Sequence, residues 1–436
     1  MKKLFIYISV CLAVISYCGC KKNKGATTLL DNALLVTSNT TNNNSTNEEN
    51  NLKSIAVFSK CTNYDNKLST VASEVYFIPL DDEPVLDDSK TYDVELDDDF
   101  IFLLGIYHIY QYNRQGRFIR QIGKRGMGPA DYINISPPLQ INYKEKSIYA
   151  SDINRKRVVV YNFDGTFNRA FQTNFDFSGC MAILDSENIA FRQTMFERFI
   201  PNVPFISLSD HHGENARVYY SHLHPLIARS EMKSYGTESS MLWEHKGLFF
   251  YLEYGADTIF QITGDSFVPV WVLTGELKVP KKELFFQDHG KNLQNYSYIL
   301  HPNSGIFESS KFLIFRLVDN QNSFYMVYDK TSGTFHRTYD KNPIVIEEQY
   351  PNGKKVISIM MDYFVDDLVS GLLFTPKYQS MGKAISLIPA TTIVENRDKI
   401  LRHLVSHPSD ESARLKSIVE KMGEDDNPLL MIVTFK

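Results

Sequence analysis

The chain has 436 residues, of which 43% are hydrophobic, and its formal net charge is −5 at pH 7. This length and apolar content are sufficient for one large domain, and the 25 Tyr and 29 Phe residues favour half-buried β-strands. The mild negative charge, without a basic stripe interleaved with aromatic residues, argues against nucleic acid as a partner.

The first 20 residues have the pattern of a bacterial lipoprotein signal peptide. Two lysines precede the apolar run Leu4–Tyr17, which is shorter than the about 20 residues that a bilayer span requires. The next residues resemble a lipobox in which Cys20 is the lipidated residue, because the small Gly19 precedes it. Tyr17 departs from the aliphatic residue that is usual at its position, and ordinary secretion with cleavage nearby is the alternative.

Residues 21–66 are predicted to form a flexible tether, and residues 67–436 a globular domain. Asn, Thr and Ser dominate the early part of the tether, a composition that buries too little apolar surface to fold. The residues after Cys20 are basic, whereas an acidic flank tends to accompany export to the cell surface in lipoproteins of this kind. We therefore expect an anchor in the outer membrane that faces the periplasm, with the cell surface as the alternative.

Five glycines recur along the domain, each in a short polar turn between two β-prone runs. They are separated by 49, 48, 51 and 69 residues and are Gly116, Gly165, Gly213, Gly264 and Gly333. A period of roughly 40 to 50 residues with one hairpin per unit is typical of β-propeller blades, because one small sheet cannot bury both of its faces alone. The long last step predicts an insertion at about residues 281–309.

The remaining β-prone segments predict a sixth blade that both chain ends build. Its strands come from Val75–Ile78, from Leu372–Ile388 and from Leu429–Phe435, and such closure removes exposed sheet edges. Two helices are predicted within residues 393–422, with Ser409 as an N-cap. Residues 81–99 are acidic and rich in turn formers, and a strand is predicted to resume at Phe100. The predicted fold is an all-β, six-bladed propeller with a short helical segment near the C-terminus.

The connection at residues 123–129 holds three glycines and one proline in seven residues, so no regular strand can pass through it. Lys124 and Arg125, with the backbone N–H groups of Gly126 and Gly128, could hold an anionic ligand there. The connection lacks the strand-to-helix setting and the Gly-Lys-Ser/Thr ending of a nucleotide-binding loop. A structural crossing between two blades is therefore the favoured interpretation, and a ligand contact is the alternative.

No catalytic constellation emerges from the sequence. His222 and His224 would share one face of a strand, a spacing that suits a metal, but no third ligand can be identified. The acidic clusters at residues 97–99 and 362–367 lack the alternation of a calcium loop. We expect no cofactor and no bound metal. Cys61 and Cys180 could form one disulfide, although two separate thiols are favoured in a domain of this size.

The chain resembles NHL-type and TolB-like propellers, and more closely the six-bladed β-propeller lipoproteins of Bacteroidota. The resemblance covers the chain from about Leu68 to its end. Four motifs occur in the expected order, namely Ile-Pro-Leu at 78–80, Gly-Lys-x-Gly-x-Gly-Pro at 123–129, Asp-Thr-Ile-Phe at 257–260 and Asn-Pro-Leu-Leu at 427–430. The Ala-Asp-Tyr at 130–132 departs from the usual Gly-Glu-Tyr.

This resemblance implies a lipid-anchored envelope propeller that binds a ligand, a glycan or a partner protein without catalysis. Propellers gather loops at the two ends of a central channel, which makes a composite binding surface. The alternative is a metal-dependent envelope hydrolase or lyase with its site in the channel, for which NHL-like and gluconolactonase-like propellers are precedents. Their ligand residues do not map onto this chain, and the fold alone does not decide between the two functions.

Overall fold

The structure is a computed structural model. It describes residues 53–56, 61–87, 90–173, 175, 177, 180–192, 196–197, 204–220, 234–235, 241–253, 258–264, 266–274, 297–299, 306–319, 322–349 and 355–436. The chain divides into two units, Met1–Asn51 and Leu52–Lys436, and every described residue lies in the second. Among the described residues, no helix has the length and apolar character needed to cross a bilayer.

Within the described part of the chain, five sheets have the form of a propeller blade, in which four antiparallel strands lie side by side. Blade 1 consists of Asp93–Leu96, Phe100–Leu104, Ile109–Asn113 and Phe118–Ile122. Blade 2 consists of Ile135–Asn142, Ser147–Asp152, Arg157–Asn162 and Phe167–Gln172. Blade 3 consists of Met181–Ile183, Ile189–Arg192, Pro204–Ser209 and Arg217–Tyr220.

Blade 4 has a fifth strand that comes from the beginning of the described chain. Its four antiparallel strands are Met241–His245, Leu248–Leu252, Thr258–Ile262 and Phe267–Thr274. Lys53–Ala56 pairs in parallel with the last of them. This strand lies within residues 21–66, where the composition predicts a flexible tether, so strand pairing begins before the predicted boundary at residue 67.

The closing blade is built from both ends of the domain, as the sequence predicts. Its strands are Tyr378–Ser380, Lys383–Ile388, Leu429–Phe435 and Ala72–Pro79. The last two pair antiparallel from Ala72 opposite Phe435 to Pro79 opposite Leu429. The strand Leu429–Phe435 is almost wholly buried, so this pairing joins the two chain ends through the core and not along an exposed edge.

The remaining large sheet has eight strands and is branched, so we name it the branched sheet. Its strands are Cys61–Asp65, Ser297–Ile299, Ile306–Glu308, Phe312–Asp319, Asn322–Asp329, Thr334–Tyr339, Ile344–Gln349 and Lys355–Met361. The prediction of six blades is therefore wrong: five sheets have the blade form, and the segment around Gly333 belongs to the branched sheet.

The branching follows from the length of two strands. Phe312–Asp319 and Asn322–Asp329 have eight residues each, long enough to pair with two shorter strands along one side. Asn322–Asp329 pairs with Lys355–Met361 near its start and with Thr334–Tyr339 near its end. Part of the predicted insertion at 281–309 supplies two further strands, and the rest of it lies outside the described residues.

The smaller elements lie between these sheets. Two-stranded sheets join Phe196–Glu197 to Ser234–Tyr235 and Phe364–Val365 to Leu373–Phe374. Short 3-10 helices occur at Leu68–Thr70 and Ile153–Arg155. The C-terminal helical segment consists of Ala390–Glu395, Arg397–Ser406 and Asp410–Lys421, one helix more than predicted. Ser409 is the N-cap of the last helix, as predicted, and its Oγ accepts a hydrogen bond from Ser412 N at 3.0 Å.

Apolar clusters hold each sheet against the next one in the chain. One cluster joins Ile78 and Leu430 of the closing blade to Leu103 of blade 1. Five further clusters join blades 1 and 2, blades 2 and 3, blades 3 and 4, blade 4 and the branched sheet, and the branched sheet and the closing blade. The consecutive sheets therefore form a propeller ring, since each one buries its faces against its two neighbours.

The recurring glycines have a physical reason in this arrangement. Gly116 has a φ of +82°, and a Cβ atom there would lie 1.8 Å from the carbonyl oxygen of Pro79 in the closing blade. Gly213 has a φ of +78°, and a Cβ atom would lie 2.2 Å from the carbonyl oxygen of Gln172 in blade 2. The outer hairpins of blades 1 and 3 thus pack against the preceding blade so closely that only glycine fits.

Candidate ligand-binding site

A cavity of about 480 Å³ lies where the innermost strands of the ring converge. Residues from all five blades and Ile306 of the branched sheet line it. The lining includes Tyr143, Gly247 and Gly382, which lie in turns between the first and second strands of their blades. The cavity therefore occupies the end of the central channel at which these turns gather. Its volume is within the range of small-molecule sites.

Two acidic side chains from one strand line this cavity. Asp93 and Glu95 are two residues apart in the innermost strand of blade 1, so they share a face, while Val94 and Leu96 pack in the apolar cluster with the closing blade. The exposed fractions of Asp93 and Glu95 are only 7% and 9%. The sequence-based expectation of acidic turns at 81–99 is wrong for this strand. The alternation of two acids with two apolar residues is the signal that could have identified it.

Hydrogen bonds tie the two carboxyl groups to the neighbouring sheets. Asp93 Oδ2 accepts from Leu139 N of blade 2 at 2.8 Å. Glu95 Oε2 accepts from Ser380 Oγ of the closing blade at 2.5 Å, and Ser380 Oγ accepts from Leu96 N at 2.8 Å. Glu95 Oε1 has no hydrogen-bond partner among the described residues. One carboxyl oxygen in the cavity is thus left for another molecule.

Burial changes the protonation of this pair. It raises the pKa of Asp93 from 3.8 to about 7. Burial, with the adjacent Asp93 carboxyl as the second cause, raises the pKa of Glu95 well above its usual range. The pKa of Tyr143 is raised by burial and by the charge of Glu95. Near neutral pH, Asp93 is therefore partly ionised, while burial favours the protonated form of Glu95, so the pair can both donate and accept hydrogen bonds.

The other walls combine charged, aromatic and thiol groups. Glu244 of blade 4 and Arg192 of blade 3 line the cavity, as do the aromatic rings of Trp243 and Tyr378. Trp243 Nε1 donates to Glu308 at 2.9 Å, and the Tyr378 hydroxyl donates to a backbone carbonyl at 2.7 Å, so these rings are fixed. Cys180 is a buried free thiol, in accord with the interpretation of separate cysteines, and burial raises its pKa.

The glycine-rich connection at 123–129 lies outside the cavity lining. Gly126 N donates to the backbone carbonyl of Tyr132 at 2.9 Å, and Gly128 N donates to Asp131 Oδ2 at 2.8 Å. Both N–H groups that the sequence offered for an anion therefore have internal acceptors. A Cβ atom on Gly126 would lie 2.4 Å from Asp131 Oδ2, so lack of space requires glycine there.

Arginines of blade 2 hold this connection through its carbonyl groups. Arg155 donates to the carbonyl oxygens of Gly126 and Gly128 at 2.9 and 3.1 Å. Lys124 is exposed, and the guanidinium of Arg125 lies 4.8 Å from the centre of the Tyr107 ring. These contacts favour a structural crossing between blades. Ligand binding by Lys124, Arg125, Gly126 and Gly128 stays a prediction.

The acidic clusters that the sequence offered for calcium have structural partners. Asp97 pairs with Lys146 at 2.9 Å, and Asp362 pairs with Arg316. Asp366 accepts hydrogen bonds within its own turn, among them one from Ser370 N at 2.7 Å. Within the described part of the chain, no three His, Cys, Asp or Glu side chains are placed to hold a metal ion together. Residues 222 and 224, the two histidines, lie outside the described residues.

The sequence from residue 52 to residue 434 matches the family described as "Domain of unknown function (DUF4934)". The chain belongs to this family. No curated protein matches the sequence.

One solved structure agrees with the fold described above. The chain is similar to a predicted exported protein of Bacteroides fragilis with a TM-score of 0.63 and 19% identity, over 88% of this chain and 100% of that one. It is also similar to a member of the DUF4221 family from Bacteroides vulgatus, with a TM-score of 0.41 and 11% identity, over 84% and 97% of the two chains. The first of these likenesses supports the fold, and at this identity it says nothing about a ligand.

Proposed function

We propose that this protein is a lipid-anchored β-propeller of the cell envelope that binds a small ligand, or the end group of a glycan or peptide, in its central channel. The observation that carries the proposal is the cavity of about 480 Å³ with the buried Asp93 and Glu95 on its wall. Strongly shifted carboxyl groups inside a cleft are a common property of functional sites.

The position in the cell is the second part of the proposal. The apolar run before Gly19 and Cys20 supports lipidation at Cys20, and an acyl chain adds about 0.8 kcal/mol of membrane affinity for each buried CH₂ group. The basic residues after Cys20 favour an anchor in the outer membrane that faces the periplasm. A ligand of the channel would then come from the periplasm, and nucleic acid is not a partner.

Burial energetics favour a binding role for the pair. Burying carboxyl groups without a cationic partner is unfavourable, and the exposed fractions of Asp93 and Glu95 are only 7% and 9%. A protein whose channel stays empty would gain stability from apolar residues at these positions. A ligand that completes the hydrogen bonds explains why a strand otherwise packed in the core carries two acids.

A ligand screen with a cavity variant tests this function. Gly382 lines the cavity with a φ of +68°, and a Cβ atom there would have no neighbour within 4 Å. Gly382→Asn keeps this backbone conformation, because Asn tolerates positive φ, and it places a side chain in the open space. Gly333→Asn is the matched control, since Gly333 also has a φ of +68° but lies outside the cavity lining.

The screen measures the melting temperature of the purified protein with periplasmic metabolites, short glycans, peptides and amines. We expect a true ligand to stabilise the wild type and Gly333→Asn, and to stabilise Gly382→Asn much less. If no compound stabilises the wild type, or if every stabilising compound acts equally on both variants, the channel is not the binding site.

A further inference from the structure

Four buried carboxylates outside the cavity each have a cationic partner. Asp97 pairs with Lys146 at 2.9 Å, Glu308 with Lys330 at 2.6 Å, Asp152 with Arg157 at 3.4 Å and Asp362 with Arg316. The fold therefore uses Lys and Arg to neutralise these four acids, as the desolvation of a charge requires, whereas the buried Asp366 accepts four hydrogen bonds from uncharged donors of its own turn.

Asp93 and Glu95 depart from this pattern. Neither has an ion pair with a described residue, although both are more than nine-tenths buried. Their hydrogen bonds come from uncharged donors, a backbone N–H group for Asp93 and the Ser380 hydroxyl for Glu95. Glu95 Oε1 is free of partners among the described residues. The site that would hold the missing cation is the cavity itself.

The described lining of the cavity holds three acidic side chains and one basic side chain. Glu244 of blade 4 adds a third carboxyl group, close enough that its charge disfavours ionisation of Glu95. Arg192 is the cationic residue among the described lining residues, and it lies next to Cys180, where its charge favours the thiolate. The aromatic rings of Trp243 and Tyr143 also line the cavity, and aromatic faces attract ligand cations.

We propose that the channel ligand carries a protonated amine, which pairs with the carboxyl groups of Asp93 and Glu95. This inference rests on the proposed function and names the ligand class of the same site. The ligand takes the place of the lysine or arginine that pairs with each of the four acids named above. Because the amine favours ionised carboxyl groups, its binding releases a proton from the pair near neutral pH.

The test is isothermal titration of the purified full-length protein with matched amines and alcohols. The amines are 1,4-diaminobutane, benzylamine and tyramine, and the controls are butane-1,4-diol, benzyl alcohol and tyrosol, which have the same skeletons without the charge. We expect at least one amine to bind at least about tenfold more tightly than its alcohol, the equivalent of about 1.4 kcal/mol. Its affinity should rise about tenfold from pH 6 to pH 8, because Asp93 ionises in this range while the amine stays protonated.

Two variants test whether the amine binds at Asp93 and Glu95. Glu95→Gln keeps the size of the side chain and an acceptor for Ser380 but cannot ionise when an amine binds, so amine affinity should fall at least about tenfold. Glu187→Gln, at an exposed turn of blade 3, is the matched control and should bind like the wild type. Should Glu95→Gln fail to fold, the comparison of amines with alcohols and the pH dependence in the wild type decide the question.

Three results would overturn the inference. They are alcohols that bind as tightly as their amines, an amine affinity that does not rise with pH, and the absence of binding by all three amines at millimolar concentration. A neutral or anionic compound that stabilises the wild type but not Gly382→Asn would leave the proposed function intact and refute only the amine. Failure of every compound in the wider screen would refute the proposed function itself.

Discussion

The buried carboxyl of Asp93 makes a specific prediction about stability and pH. Below about pH 3, Asp93 is protonated in both the folded and the unfolded chain, so it contributes no pH dependence there. Between pH 4 and pH 7 the unfolded chain releases this proton, whereas the folded chain keeps it because burial raises the pKa to about 7. The free energy of unfolding of the wild type should therefore fall as the pH rises through this window.

The size of the expected loss in free energy of unfolding follows from the pKa shift of Asp93. A rise from 3.8 to about 7 corresponds to about 4 kcal/mol, since one pKa unit is worth about 1.4 kcal/mol. Asp93→Asn removes the titration but keeps an oxygen that accepts from Leu139 N. We therefore expect the wild type to lose about 4 kcal/mol relative to Asp93→Asn between pH 4 and pH 8, or about 5 °C in melting temperature for a folded part of this length.

The assay is chemical denaturation of the wild type and Asp93→Asn at unit steps of pH from 4 to 8, with calorimetry as a second measurement. Asp82→Asn, at an exposed position before blade 1, is the control and should show no comparable trend. The reasoning would be refuted if the difference in free energy of unfolding between the wild type and Asp93→Asn stays constant with pH. It would also be refuted if this difference changes in favour of the wild type as the pH rises.

Further predictions concern the ring, the connection and the anchor. Gly116→Ala should lower the free energy of unfolding by at least about 2 kcal/mol more than Gly333→Ala in denaturant titrations, because only at Gly116 would the new Cβ atom lie 1.8 Å from a carbonyl oxygen of the closing blade. Arg155→Ala should lower this free energy by about 2 to 4 kcal/mol through its lost hydrogen bonds to the connection, whereas Lys124→Ala should change it by less than about 0.5 kcal/mol. Cys20→Ser should abolish labelling by a palmitate analogue and move the protein to the soluble fraction; a variant that stays in the membrane fraction would contradict the anchor.

The features that the sequence predicts depend on local chemistry. Gly116 and Gly213 recur because each hairpin turn needs a positive φ and a close approach, and both requirements leave a mark in the sequence. Ser409 could be identified because an N-cap depends on residues three positions apart. The closing blade was predictable because its last strand, Leu429–Phe435, is a continuous apolar run.

The features that the sequence did not predict depend on pairings between distant segments. The branched sheet arises where Asn322–Phe324 pairs with residues 359–361, and local composition does not encode such a choice. The cavity depends on the convergence of innermost strands from every blade, so Asp93 and Glu95 looked like part of an acidic turn. Their alternation with apolar residues was visible, but their burial becomes apparent only once the ring is closed.

The reactivity of Cys180 tests most directly whether the channel is the binding site. This buried thiol lines the cavity, so a bound ligand should block its access to iodoacetamide. Mass spectrometry of the peptide that contains Cys180 gives the alkylation rate with and without each compound that raises the melting temperature. The account predicts that such compounds slow this rate at least about tenfold in the wild type and much less in Gly382→Asn. Stabilising compounds that leave the alkylation rate of Cys180 unchanged would place the binding site elsewhere and contradict the account.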